Sequence, residues 1–278
     1  MTLAYRLLVS DIDGTIANRA KEIADVNRRA VSLYRQSGGQ FTLATGRSYA
    51  EAKRFINLLN PDLPVILCNG AVLYDPSSDR LTPIAVLQRD VAADVLKQLT
   101  GLRLNIDIFV YTSDAVYATQ VGPLAQAGMD SEDFHLEIIE SFDLLAEVPW
   151  IKFVVVADHE EMKQLHAWSK TVTHDVEFVQ SSDHYFEVLP PNISKGAALA
   201  RIAEERGIPS RQIATIGDHL NDLSMLRMAG LSAAVANAHP HVLQTADIVV
   251  PSNDEGGVAY LIHQHLLKDM KIQTQAAR

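Results

Sequence analysis

The sequence has a single cysteine, Cys68, among its 278 residues. One cysteine excludes an intrachain disulfide and any zinc site built from several cysteines, and this cysteine usage suits a reducing compartment. Cys68 lies in an apolar run that reads as a strand. We expect it to be packed and unreactive, because reactive thiols need an accessible and electropositive setting.

Long apolar runs and positive charge are also scarce. No segment approaches the roughly 18 uninterrupted apolar residues of a membrane span, and the apolar run within residues 1–10 is too short for a signal peptide. Lys and Arg number 24 against 34 Asp and Glu, so the net charge is −10. An acidic balance argues against a nucleic-acid-binding protein and against docking on anionic lipid. We expect a cytoplasmic protein with neither partner, and the sequence leaves its oligomeric state open.

Several enzyme motifs are absent as well. Without a Gly-Lys dipeptide there is no Walker loop, and the dinucleotide-binding, nucleophile-elbow and zinc-protease motifs do not occur. Asp11 and Glu22 stand at the first and last positions of a calcium loop, but Ile16 occupies the sixth position, where glycine is required. No repeat or low-complexity tract is present, which excludes solenoids and disordered chains.

What the sequence does contain is strand–helix alternation at both ends, which predicts an α/β fold. Short apolar runs predict buried strands at 7–9, 41–44, 65–68, 213–216, 231–235 and 248–250. Helical spacing predicts helices from residue 26, over 195–206, 223–229 and 258–267, and from Ser48, whose spacing to Glu51 is that of a capping box. We predict a Rossmann-like parallel-sheet core formed by residues 1–83 and 190–278.

The middle of the chain has a different pattern. Strands with alternating polarity are predicted at 106–111, 116–119, 151–157, 176–179 and 185–189, with helices at 91–100 and 160–171. This indicates an α+β domain with an antiparallel sheet, inserted into the core as residues 84–189. Trp150 and Trp168 are expected in its interior.

Three polar clusters follow core strands: Asp11-Ile12-Asp13-Gly14-Thr15, Ala44-Thr45-Gly46-Arg47 and Gly217-Asp218-His219-Leu220-Asn221-Asp222. Each kind of cluster alone is common in turns and solvated loops. In an open parallel sheet, however, the working site lies at the carboxyl ends of the strands. We therefore expect these three clusters to meet.

The chemistry of these clusters points to phosphoryl transfer. Neighbouring carboxylates repel, and a divalent cation would remove that cost; oxygen ligands from Asp11, Asp218 and Asp222 suit Mg²⁺. The Thr45 hydroxyl can donate to a phosphate oxygen, and Lys195, at a helix start, can neutralise phosphate charge. Such parts suffice for phosphoryl transfer through a covalent carboxyl intermediate.

Together the motifs resemble those of the haloacid dehalogenase superfamily in order and spacing. The matching residues are Asp11-Ile-Asp-Gly-Thr15, Thr45, Lys195 and Gly217-Asp-His-Leu-Asn-Asp222. The segment Ser252–Val258 and the large insert are similar to those of Cof-like phosphatases with a type IIB cap. The likeness spans nearly the whole chain and is strongest in the core.

The resemblance implies a role for each matching residue. Asp11 would be the nucleophile that becomes an aspartyl-phosphate, and Asp13 would protonate the leaving group and then activate water. Mg²⁺ would be held by the carboxylates of Asp11 and Asp218 and the backbone carbonyl of Asp13, with Asp222 binding it directly or supporting it. Phosphate would be held by Thr45, Lys195 and Asn221, with the amides of Ile12 and Gly46. Asn253 and Asp254 would brace the site.

The resemblance also sets the alternatives. An aspartate at position 13 favours release of free phosphate, as in phosphatases of small phosphorylated metabolites, plausibly sugar phosphates. Sugar phosphomutases with a related cap keep the same residue and are the alternative enzyme, and a non-catalytic phosphate-sensing module is a third possibility. Arg47 and His219 are candidate substrate contacts, and His219 departs from the residues usual in relatives.

Overall fold

The computed structural model describes residues 3–113, 115–128 and 136–268. The strands in chain order are β1 Leu7–Ser10, β2 Gln40–Leu43, β3 Val65–Leu67, β4 Val72–Asp75, β5 Arg80–Pro83, β6 Asp107–Tyr111, β7 Val116–Ala118, β8 Leu136–Ile138, β9 Lys152–Val156, β10 Glu177–Gln180, β11 Tyr185–Leu189, β12 Ile213–Gly217, β13 Leu231–Val235 and β14 Ile248–Val250. The α-helices are α1 Asp25–Gln36, α2 Tyr49–Leu59, α3 Arg89–Gly101, α4 Pro123–Gly128, α5 His159–Ser169, α6 Lys195–Glu205, α7 Leu223–Met228, α8 Pro240–Thr245 and α9 Gly257–Leu261.

The main sheet is parallel, in the order β14-β13-β12-β1-β2. Its central strands β1 and β12 are buried along their whole length, as expected where helices cover both faces of a parallel sheet. The predicted α/β class is therefore confirmed. Because β1, β2 and β12 are neighbours that run the same way, the loops after them leave from one edge of the sheet.

The third predicted core strand, β3, is present and buried, has a parallel bridge to β2, and also begins a small antiparallel sheet. β3 pairs antiparallel with β4, which pairs with β5, and a single bridge from Ala44 to Ile66 links this hairpin sheet to β2. The cause is a tight turn over Cys68–Gly70, where Cys68 and Asn69 both have positive φ and reverse the chain. Neither β4 nor β5 was predicted, although an Asn-Gly pair followed by an apolar run is a hairpin signal.

A second sheet, of residues 107–189, has the order β10-β11-β9-β6-β7-β8. It is antiparallel except for β7 and β8, which pair in parallel and so correct the predicted antiparallel sheet. One face packs on a hydrophobic cluster that includes residues of α3 and α5, with Trp150 and Trp168 inside it as predicted. Strand β8 and helix α4 were not predicted. We use the name cap for the predicted domain, residues 84–189; these limits fall next to the ends of β5 and β11.

Most predicted helices are present with shifted ends. The Ser48–Glu51 capping box opens α2 as predicted, with both reciprocal bonds formed. The last predicted helix is shorter than expected, because α9 ends at Leu261 and a π-turn over Ile262–Leu266 follows. Within the described ranges, no helix combines the length and the apolar character that a membrane crossing requires.

Candidate active site

The chain turns sharply after β1, and this turn presents the first two aspartates. The Asp11 amide donates to Ile216 O of β12 at 3.0 Å, which holds the residue against the neighbouring strand. Gly14 has φ +72, and a Cβ there would overlap the Asp218 carboxylate. Glycine is therefore required at this position both for the turn and for the close approach of the loop after β12.

Lys195 ties together two of the acidic residues. Its Nζ donates to Asp11 Oδ1 and to Asp222 Oδ1, both at 2.7 Å, and the lysine is fully buried. It is the first residue of α6, which is capped by Ser194. The lysine was expected at a helix start and is found there, with carboxylates as its bonded partners.

Asp222 organises the loop that follows β12. Its Oδ2 accepts hydrogen bonds from the amides of Asp218 and His219, at 2.9 and 3.0 Å, while its Oδ1 accepts from Lys195. A Cβ at Gly217 would lie 2.5 Å from the Asp222 carboxyl carbon, so the loop closes only because residue 217 is glycine. Both Asp222 oxygens are thus engaged with protein groups.

Three carboxylates meet at one point. Asp11, Asp218 and Asp222 each place an oxygen within 4.8 Å of the other two, the only such His, Cys, Asp and Glu group among the described residues. Asp218 Oδ1 also accepts from the Thr15 hydroxyl at 2.6 Å. Oxygen donors at this spacing fit a hard cation such as Mg²⁺.

The pKa values in the cluster reflect an excess of negative charge. Burial, joined by the neighbouring Asp222, raises the pKa of Asp218 to about 7. Burial also raises the pKa of Asp11 well above its usual range, against the opposing charge of Lys195. One lysine does not balance the three carboxylates, of which Asp11 and Asp222 are buried, and a divalent cation would complete the balance.

Asp13 lies apart from this cluster and is paired with Arg47. The guanidinium makes two bonds to its carboxylate, Nε to Oδ2 and Nη2 to Oδ1, each at 2.8 Å. Removal from water acts to raise the pKa of Asp13, but the hydrogen bonds and charge of Arg47 outweigh it, and the pKa is lowered. The Asp13 carboxylate is thus kept ionised. Its side chain is also half-exposed to solvent.

The loop after β2 is held by backbone bonds on both sides. The Thr45 amide donates to Ile66 O at 2.8 Å, and Thr45 O accepts from the amide of Asn69 at 3.0 Å. Asn69 Oδ1 also accepts from Asn221 Nδ2 at 3.0 Å, so a residue of the β3–β4 turn orients a predicted phosphate ligand. In the part of the chain that the structure describes, Asn69 Nδ2 and Asn221 Oδ1 are buried without a hydrogen-bond partner.

The C-terminal third braces the Asp11–Ala17 turn from behind. Asn253 Nδ2 donates to Ala17 O at 2.9 Å, and the Asn253 amide donates to Asn237 Oδ1. Asn237 Nδ2 in turn donates to Gly14 O at 2.8 Å. Asp254, predicted beside Asn253, instead pairs with Arg19 at the surface.

A cavity of about 660 Å³ separates these loops from the cap. Its core side includes Asp11, Asp13, Thr45, Gly46, Arg47, His219 and Asn221, and its cap side includes Phe109, Tyr111, Ala125, Lys152, Val154, Val156, His184, Tyr185 and Glu187. The strand residues of the cap wall alternate along β6, β9 and β11 and therefore share one face of the sheet. His219 Nδ1 lies 3.1 Å from Gln180 O of the cap, and burial lowers the pKa of His219.

The predicted residues therefore converge, and further residues that sequence reasoning missed join them. Thr15, Asn69 and Asn237 hold the loops, while Tyr111, Lys152 and Glu187 form the polar end of the cap wall. Thr15 stands inside the first quoted motif, and Asn69 in a recognised turn pair, so both were visible as motif members. The cap residues carry no local signal, because only the pairing of distant strands brings them to the cavity.

The chain is similar to known hydrolases over most of its length. Residues 8–262 match the haloacid dehalogenase-like hydrolase family. The phosphatase YwpJ of Bacillus subtilis is 30% identical, over 94% of this chain and all of that protein. The 5-amino-6-(5-phospho-D-ribitylamino)uracil phosphatase YwtE of the same organism is 28% identical, over 94% of this chain and 98% of that protein.

The fold has solved counterparts too. A haloacid dehalogenase-like hydrolase from B. subtilis superimposes with a TM-score of 0.83 and 29% sequence identity, covering 94% of this chain and all of the other. The resemblance stated from the motifs is thereby confirmed, as is the prediction of an enzyme of the phosphoric monoester hydrolase class. The chain belongs to the haloacid dehalogenase-like hydrolase family, in its Cof-like branch.

Proposed function

We propose that the protein is a Mg²⁺-dependent phosphatase that hydrolyses phosphate monoesters of small metabolites through a phosphorylated Asp11. The observation that carries the proposal is the meeting of Asp11, Lys195, Asp218 and Asp222, from three separate segments, at one edge of the sheet. Phosphoryl transfer needs little beyond such positioned charge. The cavity above this point, of about 660 Å³, is of the size that takes a small ligand.

In the proposed first step, an Asp11 carboxylate oxygen attacks phosphorus. The bond from phosphorus to the leaving oxygen breaks, and that oxygen takes a proton from Asp13. In the second step, water attacks phosphorus and gives a proton to Asp13, the bond from phosphorus to the Asp11 oxygen breaks, and free phosphate leaves with the Asp11 carboxylate restored. Thr45, Lys195 and Asn221, with the amides of Ile12 and Gly46, would hold the phosphoryl oxygens throughout.

Asp13 has to change partners during this cycle. Arg47 keeps it as an anion, which is the form required for accepting a proton from water. Before Asp13 can donate a proton to the leaving oxygen, its carboxylate must be released from Arg47 and take up that proton. The dianionic phosphate of the substrate is a competing partner for the guanidinium, because Arg binds carboxylate and phosphate in the same forked geometry.

The residues present fit a magnesium ion. Carboxylates of Asp11 and Asp218 with the carbonyl of Asp13 would hold it, and Asp222, whose oxygens already bond Lys195 and two amides, would support Asp218 through its backbone. When bound, Mg²⁺ neutralises charge on the phosphoryl oxygens and on the carboxylates. Its positive charge would also oppose the burial and the neighbouring Asp222 charge that raise the pKa of Asp218.

The cap wall bears on the substrate class. Ser182 and His184 on the cap side of the cavity suit hydroxyl groups, and sugar phosphates remain in the proposal. Phe109, Val154 and Val156 form an apolar part of the same wall, and this part would accept a leaving group with a flat or apolar ring. The relative YwtE is named for an ester that carries a uracil ring, and such ring-bearing esters belong in the substrate panel.

The test is phosphate release from p-nitrophenyl phosphate and from a panel of phosphorylated metabolites, with and without Mg²⁺. Asp11→Asn is expected to lose at least about 10³-fold in kcat while keeping its circular dichroism spectrum, because it removes the nucleophile. Asp175→Asn, a change at an exposed cap residue, is the matched control. Undiminished turnover by Asp11→Asn would overturn the nucleophile assignment. Isomerised hexose phosphate without free phosphate would indicate a mutase, and no metal-dependent release from any ester would indicate a sensing module.

A further inference from the structure

Lys152 belongs to the cap, yet its ammonium group bonds to the core. Its Nζ donates to Gly46 O at 2.7 Å and to Glu187 Oε2 at 2.6 Å. The ammonium also lies 4.6 Å from the centre of the Tyr111 ring. Residues 111, 152 and 187 come from β6, β9 and β11, three adjacent strands of the cap sheet.

This contact between Lys152, Glu187 and the Gly46 loop is buried and closely packed. The side chains of Lys152 and Glu187 are each 3% exposed, and a buried charge is tolerated only when it is paired and hydrogen-bonded. A Cβ at Gly46 would lie 3.2 Å from Glu187 Oε1, so the cap rests directly on this loop. The pair therefore acts as a unit, with Glu187 neutralising the charge that reaches the core carbonyl.

Lys152 binds the carbonyl of Gly46, and the residues on both sides of Gly46 have proposed roles in the reaction. Thr45 precedes Gly46 and would hold phosphate, and Arg47 follows it and holds Asp13. On the far side of the loop, Tyr111 Oη donates to Glu51 Oε1 at 3.4 Å, and Glu51 caps the helix that begins after Ser48. The cap thus bonds to both ends of a six-residue stretch of the core, residues 46–51.

We infer that Lys152, with Glu187 as its counter-charge, is a positioning residue that fixes the Thr45–Arg47 loop for phosphoryl transfer. This inference rests on the proposed function. Lys152 acts through the Gly46 carbonyl on Thr45 and Arg47 rather than on the leaving group. Its loss therefore slows the transfer step by the same factor whatever the leaving group is, because misplacement of a positioned group lowers the rate with little effect on binding.

The experiment uses the double variant Lys152→Met with Glu187→Met, which removes both charges together. Deleting one partner alone would leave a buried unpaired charge, whereas an apolar replacement of both is commonly tolerated. The control is Lys163→Met with Glu160→Met, which removes a solvent-exposed cap pair bonded at 2.7 Å. Both double variants are first compared with the parent by thermal unfolding.

We expect kcat of the Lys152/Glu187 variant to fall about 10- to 100-fold, with KM changed less than about threefold. The factor should be equal for p-nitrophenyl phosphate, a sugar phosphate and a ring-bearing ester, and the control should match the parent. Parental kcat in a folded variant would overturn the inference. A loss confined to one ester would also overturn it, since that would make Lys152 a leaving-group contact.

Hydrogen exchange gives a readout that does not depend on turnover. Amides of residues 45–48 should exchange faster in the Lys152/Glu187 variant than in the parent and the control, because the loop has lost its bond to the cap. Unchanged exchange would overturn the inference even if the parent proved inactive on every ester. An inactive parent with faster exchange in the variant would refute the proposed phosphatase while sustaining the positioning role.

Discussion

Two lysines are buried at the cavity, and they differ in how their charge is balanced. Lys152 faces one carboxylate, Glu187, at 2.6 Å, and the pair is neutral. Lys195 faces two, Asp11 and Asp222, at 2.7 Å each, with Asp218 beside them. The cap pair is electrostatically complete, while the core cluster has negative charge left over. This difference supports the proposal that a cation and a phosphate bind at the core cluster rather than at the cap pair.

The largest effect is expected when each lysine is substituted alone and the two losses of unfolding free energy are compared with and without Mg²⁺. Lys152→Met leaves Glu187 buried and unpaired, and we expect unfolding free energy to fall by about 3–5 kcal/mol. Mg²⁺ should restore none of it. Lys195→Met should cost a comparable amount without metal, but Mg²⁺ should recover much of the loss, because the cation can replace the missing charge beside the carboxylates.

The measurement is urea unfolding of both variants with EDTA and with excess Mg²⁺. Lys163→Met, at an exposed pair, should change stability by less than about 1 kcal/mol in either condition. Equal recovery of the two buried-lysine variants in Mg²⁺ would contradict the contrast between a complete pair and an incomplete cluster.

A smaller effect is expected from Thr15→Val, which keeps the shape of the side chain and removes the hydroxyl bonded to Asp218 at 2.6 Å. Outer partners of a metal ligand orient it, and their loss commonly weakens metal binding by about 10–100-fold. The apparent Mg²⁺ constant for activity should rise by that factor while activity at saturating Mg²⁺ stays close to the parent. Thr42→Val, at a buried threonine of β2 that donates to the backbone carbonyls of Leu63 and Pro64, is the control and should leave the Mg²⁺ constant unchanged.

The smallest effect concerns pH. Since the pKa of Asp218 is raised to about 7 in the metal-free fold, the native state binds a proton that the unfolded chain lacks. The metal-free protein therefore loses stability as pH rises from about 4 to 7. Mg²⁺ needs the ionised carboxylate, so the stabilisation by Mg²⁺ should grow from pH 6 to pH 8.

Differential scanning fluorimetry with and without Mg²⁺ measures this growth. For one proton at a pKa near 7, Mg²⁺ affinity at pH 6 is lower by about tenfold than at high pH, or roughly 1.4 kcal/mol. In Asp218→Asn the pH dependence should flatten. A stabilisation that is constant from pH 6 to 8 in the parent would argue against Asp218 as a ligand.

The core was largely predictable from sequence and the cap wall was not. Asp11, Thr45 and Asp218 each follow a short buried run, and parallel strands bring such positions to one edge. The strand at 65–67 follows the same rule, since Asn69 behind it bonds to Asn221 at the site. The hairpin that begins at the left-handed turn of Cys68 and Asn69 was missed, although the Asn-Gly pair signals it. In the cap, the meeting of Lys152 with Glu187 depends on which strands pair and in what register, and 35 residues separate the two.

The brace formed by Asn237 and Asn253 has a consequence for how the enzyme is made. The turn that carries Asp11 leaves the ribosome well before its brace, because the side chains that hold Ala17 O and Gly14 O are encoded more than 220 residues later. A nascent or prematurely ended chain therefore carries Asp11 without the support that shapes its loop. We expect activity to arise only after residue 253 has been made, so that products truncated before it remain inert toward the phosphorylated compounds of the cell.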